Sequence, residues 1–107
     1  MKKMMLLTKE SEKAFKAKPL YSTEHDKDPV VVAKFFTPWT NWTWFATEYD
    51  PEKRIFFGMV HGHEKEWGYF SLDELMEISG PFGIGIERDT SFDPGRYNHL
   101  KPYKEIA

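Results

Sequence analysis

Two short motifs in this chain carry side chains able to do chemistry, and a third group could bind by contact. His61-Gly62-His63-Glu64 sets two imidazoles two residues apart. A strand would hold both on one face, with a carboxylate beside them to complete a divalent-metal site. No further ligand spacing accompanies the pair, and a glycine followed by charged residues also fits a solvated hairpin end. His61 and His63 are therefore metal candidates only, and no cofactor is expected. Glu87-Arg88-Asp89 follows the stretch Gly80-Pro81-Phe82-Gly83-Ile84-Gly85. Strand alternation puts Glu87 and Asp89 on one face and Arg88 on the other. Two carboxylates can work as an acid–base pair, as in glycoside hydrolysis, but an ion pair with Arg88 or Arg54 explains them more simply. The glycines do not form a phosphate loop, because no Lys-Ser/Thr follows and a strand comes next. Nucleophilic catalysis has little support: there is no Gly-x-Ser-x-Gly elbow, and His25, His61, His63 and His99 lack a partner pattern. The absence of cysteine excludes thiolate chemistry, disulfides and Cys-based zinc sites.

The third group is an aromatic belt. Twelve of the aromatic residues fall between positions 35 and 70: Phe35, Phe36, Trp39, Trp42, Trp44, Phe45, Tyr49, Phe56, Phe57, Trp67, Tyr69 and Phe70. A small sheet needs large side chains to fill its core, each contributing about 1.5–3 kcal/mol when buried. Core does not explain adjacent pairs, however. Phe35-Phe36 and Phe56-Phe57 each send one ring to either face, so a sheet covered on one side leaves aromatic surface over. Such surface, rimmed by polar groups, is typical of partner binding. The connecting segment Trp39-Thr40-Asn41-Trp42 is the favoured place for it, and Trp39, Asn41, Trp42, Glu87, Arg88 and Asp89 are the candidate partner-binding residues.

These residues must be positioned by short elements. Thr8 is placed to cap a helical turn over residues 9–15. A polar loop at 22–28 leads to a strand at 30–36, rich in β-branched and aromatic residues. Strands follow at 42–49, 54–61 and 67–70, separated by turn-forming segments at 37–41, 50–53 and 62–65. The expected faces of the second strand are Trp42, Trp44, Ala46 and Glu48 against Thr43, Phe45, Thr47 and Tyr49. Ser71-Leu72-Asp73-Glu74 reads as a capping box opening a helix over 72–78, with Leu72, Leu75, Met76 and Ile78 as its apolar stripe. Ser79-Gly80-Pro81 stops it, and residues 84–88 form a fifth strand. The class is α+β: a mainly antiparallel meander of four to five strands, a short N-terminal helix, and one packed helix after the fourth strand.

The chain has 107 residues, 40% hydrophobic, 30% charged and 17% aromatic, which suits one folded domain and excludes an aromatic-poor disordered segment. Within 1–107, residues 1–28 form a basic leader with seven lysines against five acidic groups. Residues 29–92 form the aromatic sheet-and-helix module, and 93–107 a loop-rich tail. From 29 to 100 there are six basic and eleven acidic groups, a net of −5 that argues against a phosphate-backbone ligand. The apolar run 4–7 is too short for a secretory segment or a membrane span, so a cytoplasmic, non-membrane protein is expected.

The stretches Phe35-Phe36-Thr37-Pro38-Trp39-Thr40-Asn41-Trp42-Thr43-Trp44, Glu48-Tyr49-Asp50, Gly68-Tyr69-Phe70-Ser71-Leu72-Asp73-Glu74-Leu75 and Gly80-Pro81-Phe82-Gly83-Ile84-Gly85-Ile86-Glu87-Arg88-Asp89 resemble a short bacterial family, domain of unknown function 2958. The resemblance runs from about Leu6 to Phe92. It implies an accessory protein of plasmids, integrative conjugative elements and phages, sometimes beside antirestriction-type proteins, and it implies no catalytic residue. The expected function is protein–protein interaction through an aromatic surface, with an antirestriction or counter-defence role. The alternative is a single-stranded nucleic-acid-binding accessory using the sheet and the leader lysines, and the third reading is a metal- or carboxylate-dependent hydrolase.

Overall fold

The computed structural model describes residues 4–100; the first three residues of the predicted leader and the tail at 101–107 lie outside the described residues. Thr8 caps helix α1 (Lys9–Phe15) reciprocally: the Ser11 N–H donates to Thr8 Oγ1 at 3.0 Å and the Thr8 N–H to Ser11 Oγ at 2.8 Å. Phe15 ends the helix and is buried with Leu6 and Leu7.

The predicted first strand divides at Val32. Its first part, β1 (Val30–Val31), pairs with β7 (Gly95–Arg96), while β2 (Ala33–Phe36) joins the main sheet. The reason is visible in burial: Val31 packs among Phe45, Met59 and Tyr97, whereas Val32 and Ala33 belong to the core on the opposite face. Strands β3 (Thr43–Asp50), β4 (Ile55–His61) and β5 (Lys65–Ser71) follow as the expected meander. The turn between β3 and β4 is fixed by Asp50, whose Oδ1 accepts from the Glu52 N–H at 2.9 Å. Strand β6 is only Glu87–Arg88, and it returns to pair with β2. The predicted strand at 84–88 is shortened because Phe82 and Gly83 adopt left-handed backbone angles and a Ser79–Gly85 bridge closes the loop. The result is an α+β fold with an antiparallel sheet of order β5-β4-β3-β2-β6.

Helix α2 (Leu72–Glu77) opens with the Glu74 N–H donating to Ser71 Oγ at 3.2 Å, the first half of the expected box. Only Leu72 and Leu75 are buried; Met76 and Ile78 are exposed, so the stripe is narrower than predicted. The main core lies between the helices and one sheet face, where Phe56 contacts Phe15, Phe35, Tyr49 and Phe70 with ring centroids 4.6–5.7 Å apart.

A bulge in β3 corrects the predicted alternation. Ala46 lies opposite Gly58 but Glu48 lies opposite Phe57, so Thr47 is an extra residue. Beyond it the faces exchange. Tyr49 joins Trp44 and Ala46 in the main core, and Glu48 turns to the other side. There its buried carboxylate accepts from the Tyr21 N–H (2.7 Å), the Thr23 N–H (2.8 Å) and the Thr23 hydroxyl. The loop after α1 is thereby latched to the sheet.

Candidate functional site

The sheet face away from the main core is covered only in part. Val31, Phe45, Met59 and Tyr97 form a second small cluster, with Phe92 and Leu100 packed against it. Beyond that cover runs a row of rings contributed by alternate residues of β4 and β5. Phe57 stacks on Trp67 (6.0 Å, 12°) and meets Tyr69 edge-on (5.0 Å). Tyr69 continues to Tyr21 (6.4 Å), and Trp67 to Tyr97 (5.2 Å). Trp67 is 41% exposed, Tyr69 56% and Tyr21 63%. The Phe56-Phe57 pair divides as the sequence implies, Phe56 inward and Phe57 into this row.

Through the hydrogen bond of Tyr97 to His61 the row adjoins an open cleft of about 840 Å³, lined by Lys34, Asn41, Trp42, His61, His63 and Asp89 among others. His61 is buried, sharing a 2.7 Å hydrogen bond between its Nε2 and the Tyr97 hydroxyl and lying edge-on to Phe45. Burial pushes the His61 imidazole below its ordinary pKa, and the charges of Lys65 and Lys34 lower it further. Lys34 Nζ is 3.2 Å from Asp89 Oδ2 and 5.9 Å from the centre of the Phe45 ring.

The candidate residues are thus divided between places. Asn41, Trp42 and Asp89 share the cleft with both candidate histidines. These histidines do not form a strand-borne pair, because β4 ends at His61 and His63 lies in the following turn, edge-on to Trp42 at 5.4 Å. Among the described residues no group of three His, Cys, Asp or Glu side chains could hold a metal ion. Asp89 pairs with Lys34, and Arg54 with Asp73 at 2.9 Å, in place of the expected pairing through Arg88 or Arg54. The antiparallel β2–β6 register causes this, the Asp89 N–H donating to the Lys34 carbonyl at 2.9 Å. Arg88 donates to the Met5 carbonyl, and Glu87 is half-buried opposite Phe36.

Trp39 and Trp42 are half-buried, each with its indole set against the glycine of another loop. A Cβ at Gly80 would fall 2.3 Å from the Trp39 ring, and one at Gly62 2.4 Å from the Trp42 ring. They close loops. The more exposed rings of this face are Trp67, Tyr69 and Tyr21; Trp67 and Tyr69 are members of the aromatic belt, and Tyr21 lies outside it. The signal was available in the alternation of Trp67 and Tyr69 against Phe70, on the last strand of the meander.

Fold and site together define a small α+β sheet protein with an open aromatic face beside a cleft lined by histidines and charged residues. The chain belongs to the family described as protein of unknown function (DUF2958), whose model matches residues 6–107. No match was found among curated proteins or solved structures. No helix among the described residues is long and apolar enough to cross a membrane.

Proposed function

We propose that this protein is a binding module that contacts another protein through the aromatic row Tyr21–Tyr69–Phe57–Trp67. The row carries the reading: large, rigid rings at an exposed sheet face supply contact area at small entropic cost, and such residues dominate interface energetics. Acidic groups outnumber basic ones from 29 to 100, which favours a protein partner over a phosphate backbone. The cleft supports binding more than catalysis, since Asp89, one of its two lining carboxylates with Glu64, is committed to an ion pair with Lys34. The setting implied by the family likeness, an accessory protein of mobile genetic elements acting on host defence such as restriction, belongs to this proposal.

Affinity capture from bacterial lysate with the parent chain, Trp67→Ala and Tyr69→Ala tests it. A specific protein should be retained by the parent and lost from both variants, whose melting temperatures stay within a few degrees of it. Retention by both variants overturns the reading. Single-stranded DNA or RNA that binds with steep salt dependence would instead support the nucleic-acid alternative.

A further inference from the structure

β5 forms one edge of the sheet, and no strand among the described residues lies on its outer side. An edge strand turns half of its N–H and C=O groups outward and so offers a template for a further strand. Proteins usually blunt such edges with brevity, bulges, proline or charged side chains, and the charges of β5, Lys65 and Glu66, stand only at its N-terminal end. Its remaining length is unprotected: β5 runs seven residues, pairs with β4 without a register shift and contains no proline.

Gly68 sits at its centre, opposite Gly58. A Cβ at Gly58 would lie 1.9 Å from the Phe45 carbonyl oxygen, so the sheet itself requires that glycine. A Cβ at Gly68 would meet nothing within 4 Å. Mid-strand glycine weakens a strand and often marks the close approach of another group. Here it leaves an open notch on the helix-bearing face of the edge, while Trp67 and Tyr69 flank it on the other face.

We infer that β5 receives an extended segment of a partner protein as an added antiparallel strand, with an aromatic side chain of that segment lying over Gly68. This rests on the reading of the aromatic row as a protein-binding surface. An aromatic placed across a strand pair covers an edge glycine well, and the segment's other face packs on Trp67 and Tyr69. Charge sets which end of that antiparallel segment is basic. Glu74 and Glu77 stand exposed on α2, directly after the C-terminal end of β5. The N-terminal end of an antiparallel segment meets them and is therefore basic. A second copy of this chain fits less well, because symmetric pairing about Gly68 sets one empty notch against another.

The test selects displayed linear peptides of about a dozen residues on the full-length chain. Enriched peptides should share an aromatic residue preceded by lysine or arginine. Gly68→Val should weaken a synthetic enriched peptide by about tenfold or more, and N-methylation of alternate peptide amides should do the same. Should Gly68→Val not fold, Gly68→Ala gives a smaller loss in the same direction. Amides of β5 should gain hydrogen-exchange protection on binding. Peptides that depend on Trp67 and Tyr69 but ignore Gly68→Val, Gly68→Ala and N-methylation overturn strand addition and leave the aromatic surface standing. Peptides indifferent to the Trp67→Ala/Tyr69→Ala pair overturn both. No enrichment, or self-association through β5 in sedimentation, overturns the inference.

Discussion

Glu48 and His61 are the two ionisable side chains among the buried polar residues described. Glu48 is 2% exposed and accepts all of its bonds from the loop after α1. Glu48→Gln sets an amide donor against donors, and stability should fall by about 1–3 kcal/mol in urea unfolding. The Tyr21 and Thr23 amides should exchange faster, whereas unchanged exchange there would show that the latch does not hold the loop. His61 gives a pH dependence. Its folded pKa is lowered, chiefly by burial, so the unfolded chain takes up this proton more readily. Its contribution is complete above the ordinary value of about 6.5 and is lost as pH falls through that value and then the folded one. The urea midpoint should therefore drop more in the parent than in His61→Gln between about pH 7.5 and about pH 5; equal slopes would refute the assignment. Neither role was legible in the sequence. The face of Glu48 depends on the Thr47 bulge, which no alternation pattern announces, and the burial of His61 depends on Tyr97, far along the chain.

At the scale of elements the sequence is more legible, because helix caps and turns are local. Thr8 and Ser71 are helix caps, and Asp50-Pro51 turns the chain between β3 and β4. Strand ends were harder. Whether residues 30–36 continue as one strand depends on which face covers Val31 and Val32, and that is decided by residues beyond 85. Nor does the sequence say that Gly62 and Gly80 receive the rings of Trp42 and Trp39. Helix α2 gives the clearest test. Leu75 is 3% exposed and Met76 48%. Leu75→Ala should cost about 2–5 kcal/mol, and Leu75→Asp more, since it buries an unpaired charge. Met76→Ala should cost much less. Comparable losses at both positions, measured by chemical denaturation, would show that the helix is rotated from the face described.

In the whole molecule, the meander is built from neighbours in sequence, whereas β1–β7 and β2–β6 join the beginning of the sheet to its last described residues. The turns made the meander legible as an α+β fold and the strand at 84–88 was expected, but β7 and the pairing of β6 with β2 were not legible, because two-residue strands leave no pattern that names a partner. That difference in span has a consequence for the order of events in time. Hairpins close quickly, while distant pairings must wait for a large loss of chain entropy to be offset. The β3–β4–β5 hairpins should therefore be formed in the folding transition state, and the strands contributed by residues beyond 85 should dock afterwards. Substitutions such as Ile86→Val and Tyr97→Phe should speed unfolding and leave the folding limb of a chevron plot nearly unmoved. Substitutions such as Val60→Ala in β4 should slow folding. A chevron in which Ile86→Val slows folding as much as Val60→Ala would mean that closure of the sheet, and not its central hairpins, sets the rate.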